Sequence, residues 1–257
     1  MSTHLSASGY RLYPAYCFRA SSTYNAWVKL TAADVQALRT EPGFQSQRIY
    51  FHLNHPIRYV RLVGVVVAID DITPKYTVLT LDDGSGSTIE VKIIRLVAEV
   101  YNAVESPSNT VIDNVNVISE FGVFEVTVDH QQLDIGTVIK TKCTISEFRG
   151  SKQLELKRAW VVPTTNDEAQ DWAETAAFKQ SVLSVPWRMS SAERKRIRAE
   201  DKAEEKTHAE HERLKAEHAV KRKEQRKARD EYLAQREAKL EFINRKERVM
   251  MDAGALI

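Results

Sequence analysis

The sequence predicts a mainly β protein: a small five-stranded barrel with an aromatic arm before it and helices after it. Three observations carry this. Leu62 to Ile69 is a β-branched run broken once, at Gly64. Asp82-Asp-Gly-Ser-Gly86 is a strong hairpin signal between two alternating segments. Thr137 to Phe148 and Lys152 to Val162 alternate again on either side of Arg149-Gly-Ser151.

Residues 1–9 are expected to be disordered. Tyr10 to Trp27 is rich in Tyr, Phe and Trp and is interrupted by Pro14, so it reads as an arm packed on a domain. Thr31-Ala-Ala-Asp34 resembles a capping box and predicts a short helix with Val35 and Leu38 facing the core, stopped by Glu41-Pro-Gly43. Tyr50 to Pro56 leads into the first barrel strand. Gly64 inside that strand marks a bend or a close backbone approach, and a sheet that closes on itself needs such a bend. Asp71-Ile-Thr-Pro74 is turn chemistry. Tyr76 to Leu81 is the second strand. In the third, Ile89, Val91 and Ile93 share one face and Thr88, Glu90 and Lys92 the other.

Leu96 to Val104 has helical spacing. Glu105 to Asn116 reads as a surface loop, and Phe121 to Val128 as an extra strand. In the last hairpin Ile139, Cys143 and Ile145 point inward. Leu154, Leu156 and Trp160 are expected inward opposite them, with Gln153, Glu155 and Lys157 outward. Three meander strands, a helix and a closing hairpin are the order of an OB-fold barrel.

Thr165-x-x-Glu168 caps an amphipathic helix running to about Leu183, ended by Pro186. Its stripe is Ala169, Trp172, Ala173, Ala176 and Leu183, with Phe178 and Val182 beside it. Ser190-x-x-Glu193 caps a second helix to about Val249, mostly Ala, Glu, Lys and Arg. Between Ala199 and Arg229 its only large apolar residues are Leu214 and Val220, too few for coiled-coil a/d positions. Glu217 with Lys221, Glu241 with Arg245, Glu210 with Arg213 and Glu224 with Lys227 stand at pairing distance, each worth about 0.2–0.5 kcal/mol. A solvated single helix is expected, its last third more apolar. The domains are therefore a disordered 1–9, a barrel domain with arm and C-terminal helix over 10–185, and a charged extended helix over 190–257.

The chain has 257 residues, 43% hydrophobic and 28% charged, with a net charge of only +2. It is no polycation, although charge of both signs concentrates after Met189. Two cysteines, Cys17 and Cys143, make neither a disulfide scaffold nor a four-cysteine zinc site. No apolar run of about 18 residues exists, so no membrane span is expected. The polar N-terminus lacks a secretory h-region. A soluble, intracellular protein is anticipated.

With these residues in place, the chain resembles the fungal Stn-type OB-fold middle subunit of the CST telomere-capping complex, a family related to the middle subunit of replication protein A. The carrying segments are Tyr13-Pro-Ala-Tyr-Cys-Phe18, Tyr24-Asn-Ala-Trp-Val-Lys29, Tyr50-Phe-His-Leu-Asn-His-Pro-Ile57, Val63-Gly-Val-Val-Val-Ala-Ile-Asp-Asp71 and Leu79-Thr-Leu-Asp-Asp-Gly-Ser-Gly86. The resemblance implies an OB-fold that pairs with a small single-OB-fold subunit, partly through its C-terminal helix. It implies a large CST subunit as further partner, single-stranded telomeric DNA as ligand, and a nuclear, telomeric location. Relatives often carry winged helices after the barrel. Here the charged helix holds that place.

A single strand needs cations along its phosphates and flat side chains under its bases. In an OB-fold the second and third strands with loops L12 and L45 supply them. That selects Lys75 and Tyr76 in L12, Lys92 and Arg95 on strand three, and Phe148, Arg149 and Lys152 in L45. Ordinary solvation of outward Lys and Arg is the plainer reading of each alone. Partner binding falls to Trp172, Ala176, Phe178 and Leu183, against the alternative that this stripe covers its own barrel. Asp82 and Asp83 read as turn formers rather than an acid pair. His52 and His55 lack a second ligand pair. No Gly-rich phosphate loop, nucleophile elbow or zinc motif occurs, so no cofactor, metal or catalysis is expected. The basic clusters Arg194 to Arg198 and Lys221 to Arg229 suit nuclear import or plain solvation. Three other readings compete: a general replication-protein-A-like single-strand binder, an OB appendage of an aminoacyl-tRNA synthetase, and a scaffold whose charged helix is the functional part.

Overall fold

The structure, a computed structural model, describes residues 4–5, 9–96, 108–120 and 123–254. It divides into two compact units, Met1–Arg194 and Lys195–Ile257. The predicted helix over Leu96 to Val104 lies almost wholly outside the described residues.

The first unit is OB-fold-like. Its main sheet uses β1 (Trp27–Lys29), β2 (Tyr59–Thr73), β3 (Tyr76–Asp82), β4 (Thr88–Ile94), β7 (Val138–Phe148) and β8 (Ser151–Val161), with α1 (Ala32–Ala37) after β1. β5 (Val115–Glu120) and β6 (Val123–Val128) form a second sheet with Gln131–Gln132. β2 is the spine. One edge pairs in parallel with β1 and then antiparallel with β3, while the other pairs with β7. β3 pairs with β4, and β7 with β8. β8 meets β4 in parallel over only two residue pairs, Leu154–Val91 and Glu155–Lys92. The expected five-stranded barrel is thus amended to a mixed six-stranded sheet with one thin seam. The added strand comes from the aromatic arm.

Gly64 marks the crossover on β2. A Cβ there would stand 2.8 Å from the Asp82 carbonyl oxygen, so only glycine lets the end of β3 come so near. The core fills between the strands with Val60, Leu62, Leu81, Val91, Ile93, Ile139, Cys143, Ile145 and Leu154, all buried. Burial pushes the Cys143 thiol up to about 12, and both cysteines are free. The arm makes a second cluster of Leu12, Phe18, Ile49 and Phe51, with Trp187 packed against it. His4–Leu5, expected to be disordered, pairs with Arg11–Leu12.

Three departures have local causes. The loop expected over Glu105 to Asn116 ends in strand β5, because Val115 and Val117 are buried under the second sheet. On β8 a register shift opposite Lys142/Cys143 turns Ala159 inward and leaves Trp160 on the outer face, contrary to expectation. One extra residue flips every later side chain. The cap of α2 (Thr165–Phe178) is Thr164, not Thr165: its hydroxyl accepts the Asp167 amide at 3.1 Å.

Ser190 caps α3 (Ser191–Gly254), accepting the Glu193 amide at 3.1 Å. Ion pairs along α3 include Arg196–Glu200 and Lys215–Glu212. Long exposed side chains gain little by pairing in water. Leu214, Val220, Tyr232, Leu233, Leu240 and Ile243 are exposed. No helix among the described residues is long and apolar enough to cross a membrane.

Candidate nucleic-acid groove and partner-binding helix

The groove lies on the outer face of β3 and β4. Alternation puts Leu79, Leu81, Ile89, Val91 and Ile93 inside and leaves four cross-strand pairs on the other face: Tyr76–Ile94, Val78–Lys92, Thr80–Glu90 and Asp82–Thr88, of which Val78 is itself buried. The Lys92 ammonium sits 5.0 Å from the Tyr76 ring centroid, and Tyr76 is 38% exposed. Lys75 beside it is exposed in the turn before β3. At the other end, the β7–β8 turn projects Phe148, 57% exposed, with the Arg149 guanidinium 5.1 Å from its ring. Arg149 takes a left-handed conformation at φ 51, which lifts the pair off the sheet. A cleft of about 410 Å³ runs from Thr80, Thr88 and Glu90 to Phe148 and Arg149. The face thus offers two flat rings at opposite ends of β4, each with a cation beside it.

Two predicted residues do other work. The Arg95 side chain is only 10% exposed. Its Nε donates to the Thr77 hydroxyl at 2.9 Å and its Nη2 pairs with Asp71. It joins the β2–β3 turn to the end of β4. The Lys152 ammonium donates to the Gln36 carbonyl at 2.8 Å, while its backbone exchanges two bonds with the Gln36 amide group. Burial lowers the Lys152 pKa. Lys152 therefore ties the β7–β8 turn to α1. Both cations also support the loops that carry Tyr76 and Phe148.

Asp82 and Asp83 are turn formers. Their carboxylates accept the Gly84 and Ser85 amides at 2.9 and 3.1 Å. The other Asp83 oxygen accepts the Ala32 amide at 2.7 Å, and the Ser85 hydroxyl the Ala33 amide at 3.1 Å. The hairpin caps α1 from outside, satisfying amides no helix can satisfy itself. His52 and His55 face each other across a small hairpin. Among the described residues no cluster of three His, Cys, Asp or Glu is placed to hold a metal.

Helix α2 has two faces, and the predicted partner residues divide between them. Asp171, Thr175, Phe178 and Val182 turn toward the sheet. Ala169, Ala173 and Ala177 turn away; Trp172, 48% exposed, and Ala176 stand at the rim, lining a cleft of about 230 Å³ with Leu30, Val63 and the Asp83–Ser85 turn. Leu183 is fully buried in the chain's own core, and Phe178 packs on that core. These two therefore pack inward rather than beside Trp172. The reason is a π turn over Lys179–Leu183, seen in the bond from the Ser184 amide to the Lys179 carbonyl at 2.9 Å. In an unbroken α-helix Leu183 would lie near the direction of Trp172. The wider turn rotates it inward.

What holds α2 was not visible in the sequence stripe. The Asp171 carboxylate receives Arg61 and Lys140, each at 2.8 Å. Glu174 receives Lys29 at 2.8 Å and Arg61 at 3.0 Å. Those two bonds lower the Glu174 pKa. Asp171 sits on the same turn as Trp172. Its only sequence signal was an acid in line with Thr175, Phe178 and Val182 at helical spacing.

A family model described as "Telomere regulation protein Stn1" matches residues 9–241. The chain is 23% identical over 163 residues to Protein stn1 of Schizosaccharomyces pombe, covering 63% of this chain and 42% of that protein. It is 24% identical over 180 residues to CST complex subunit STN1 of Bos taurus, covering 68% and 46%. The matched region is thus less than half the length of these curated relatives. The fold is also similar to the crystal structure of yeast Stn1 and Ten1, with a TM-score of 0.52 and 16% identity over 77% of this chain and 97% of that one.

Proposed function

We propose that this chain, which belongs to the Stn1 family of telomere regulation proteins, protects chromosome ends in the nucleus. It acts as the OB-fold subunit of a CST-like complex, binding single-stranded telomeric DNA together with a small single-OB-fold partner. The large CST subunit completes the assembly. The role is one of binding rather than catalysis.

The observation that carries this reading is the division of α2 into two faces. The inner face is held to the chain's own sheet through Asp171 and Phe178. The outer face keeps a half-exposed Trp172 among Ala169, Ala173 and Ala176. Small residues let a second helix approach closely, and a tryptophan anchor dominates interface energetics. A yeast protein of this fold was crystallised together with Ten1, which supports a small partner.

For DNA, the proposed contacts are stacking on Tyr76 and Phe148 and phosphate contacts from Lys75, Lys92 and Arg149. Lys75→Glu with Arg149→Glu in the reconstituted complex is expected to weaken binding of a telomeric oligonucleotide about tenfold or more at fixed salt. Unchanged affinity rejects this groove. The replication-protein-A-like alternative predicts no preference for telomeric repeats over mixed sequence in the same assay.

A further inference from the structure

The outer face of β1, β2, β7 and β8 carries a second surface, which shares no residue with the groove. Register places Lys142 between Arg61 on β2 and Arg158 on β8, with Trp27 and Tyr59 one row below and Trp160 one row above. The Lys142 ammonium lies 5.5 Å from the Trp27 ring and 5.4 Å from the Trp160 ring. Trp27 and Tyr59 stand 5.0 Å apart. The Arg58 guanidinium lies 5.3 Å from Tyr59, and that of Arg158 5.2 Å from Trp160. Cations and rings therefore alternate across four strands.

The charge on this face is neutralised only in part. Of the acids of α2, Asp171 and Glu174 are committed to Arg61, Lys140 and Lys29, while Asp167 accepts the Thr164 hydroxyl and lines the same cleft as Lys142 and Trp160. Arg58, Lys142 and Arg158 make no ion pair among the described residues. Three aromatic side chains on a sheet exterior, all partly exposed, are more than solvation requires. Trp160 is there only because the β8 register shift turns it outward.

We propose that this face is a second binding surface for single-stranded nucleic acid. Bases stack on Trp27, Tyr59 and Trp160, and Arg58, Lys142 and Arg158 take the phosphates. An acidic peptide fits less well, because it would use the cations and leave the three rings idle. Stacking platforms with interleaved cations bind single strands with little sequence preference.

The test uses the full chain and a fluorescent single strand of about 16 nucleotides, titrated at several salt concentrations. Lys142→Glu with Arg158→Glu is expected to weaken binding about tenfold and to lower the slope of log affinity against log salt by about 1.4. Trp160→Leu is expected to weaken binding about fivefold with the slope unchanged. In a Trp172→Phe, Trp187→Phe background only Trp27 and Trp160 report, and the strand should quench their fluorescence. That measurement stands even if a charge variant folds poorly. Absence of quenching overturns the proposal, as does affinity of the charge variant equal to that of the parent. A loss on charge reversal with no loss in Trp160→Leu, and equal competition by polyglutamate, also overturns it. The groove variant Lys75→Glu, Arg149→Glu run in parallel separates the two surfaces. If it alone loses binding, this inference fails and the groove stands; if only the second-face variants lose binding, the reverse holds.

Discussion

Arg61 on β2 and Asp171 on α2 meet at 2.8 Å, both nearly shut off from solvent. The contact clamps the helix to the sheet and aims the next side chain, Trp172, outward. A buried carboxylate with two cations is costly to break, because removing it strands Lys140 and leaves Arg61 only the more exposed Glu174. Asp171→Ala is expected to destabilise the domain by about 3 kcal/mol, read from urea unfolding. A loss below about 0.5 kcal/mol would mean that solvent screens the cluster.

Leu183 and Trp172 should part company under mutation. Leu183→Ala opens a hole in a close-packed core and is expected to cost about 2–5 kcal/mol of stability. Trp172→Ala, at a half-exposed site, should leave the unfolding midpoint nearly unchanged and impair partner capture. Thermal unfolding beside a pull-down distinguishes them. Equal loss of stability in both would place Trp172 in the core.

Gly64→Ala drives a methyl group into the Asp82 carbonyl. The strands must part by several tenths of an ångström, at a cost of about 1–3 kcal/mol. The unfolding midpoint in denaturant checks this, and an unchanged midpoint would deny the close approach.

Burial lowers the pKa of both His52 and His55 from 6.5. For His55 the bond of its Nε2 to the Val185 carbonyl at 2.8 Å works against that shift. Nδ1 is buried without a partner. The unfolded chain protonates these rings as pH falls through 6.5, before the folded chain does. Stability is therefore full above 6.5 and declines below it, until the lower folded pKa values are passed. Melting temperatures between pH 7.5 and 5.5 should show the decline, and His55→Gln should shrink it. An identical decline in the variant would assign it elsewhere.

Much of this architecture is legible in residue order. Period-two alternation located the long strands, and Thr31 and Ser190 marked two helix starts. Two of the unread parts share a cause, a single-residue shift in register. The shift on β8 moved Trp160 outward, and the π turn after Phe178 moved Leu183 inward. Neither leaves a compositional trace, since both hinge on how a neighbouring element packs. In the groove, Tyr76, Lys92, Phe148 and Arg149 were readable because turns and outward strand positions expose them. The internal bonds of Arg95 and Lys152 were not readable, because their partners, Asp71 with Thr77 and Gln36, are brought to them only by the fold.

The most direct trial of the central claim is the native mass of this chain after co-expression with a small single-OB-fold protein of the Ten1 type. A one-to-one complex that is lost on Ala176→Glu, with the variant still folded, is the expected result. A monomer with Trp172 exposed in both proteins, or a complex indifferent to Ala176→Glu, would contradict it.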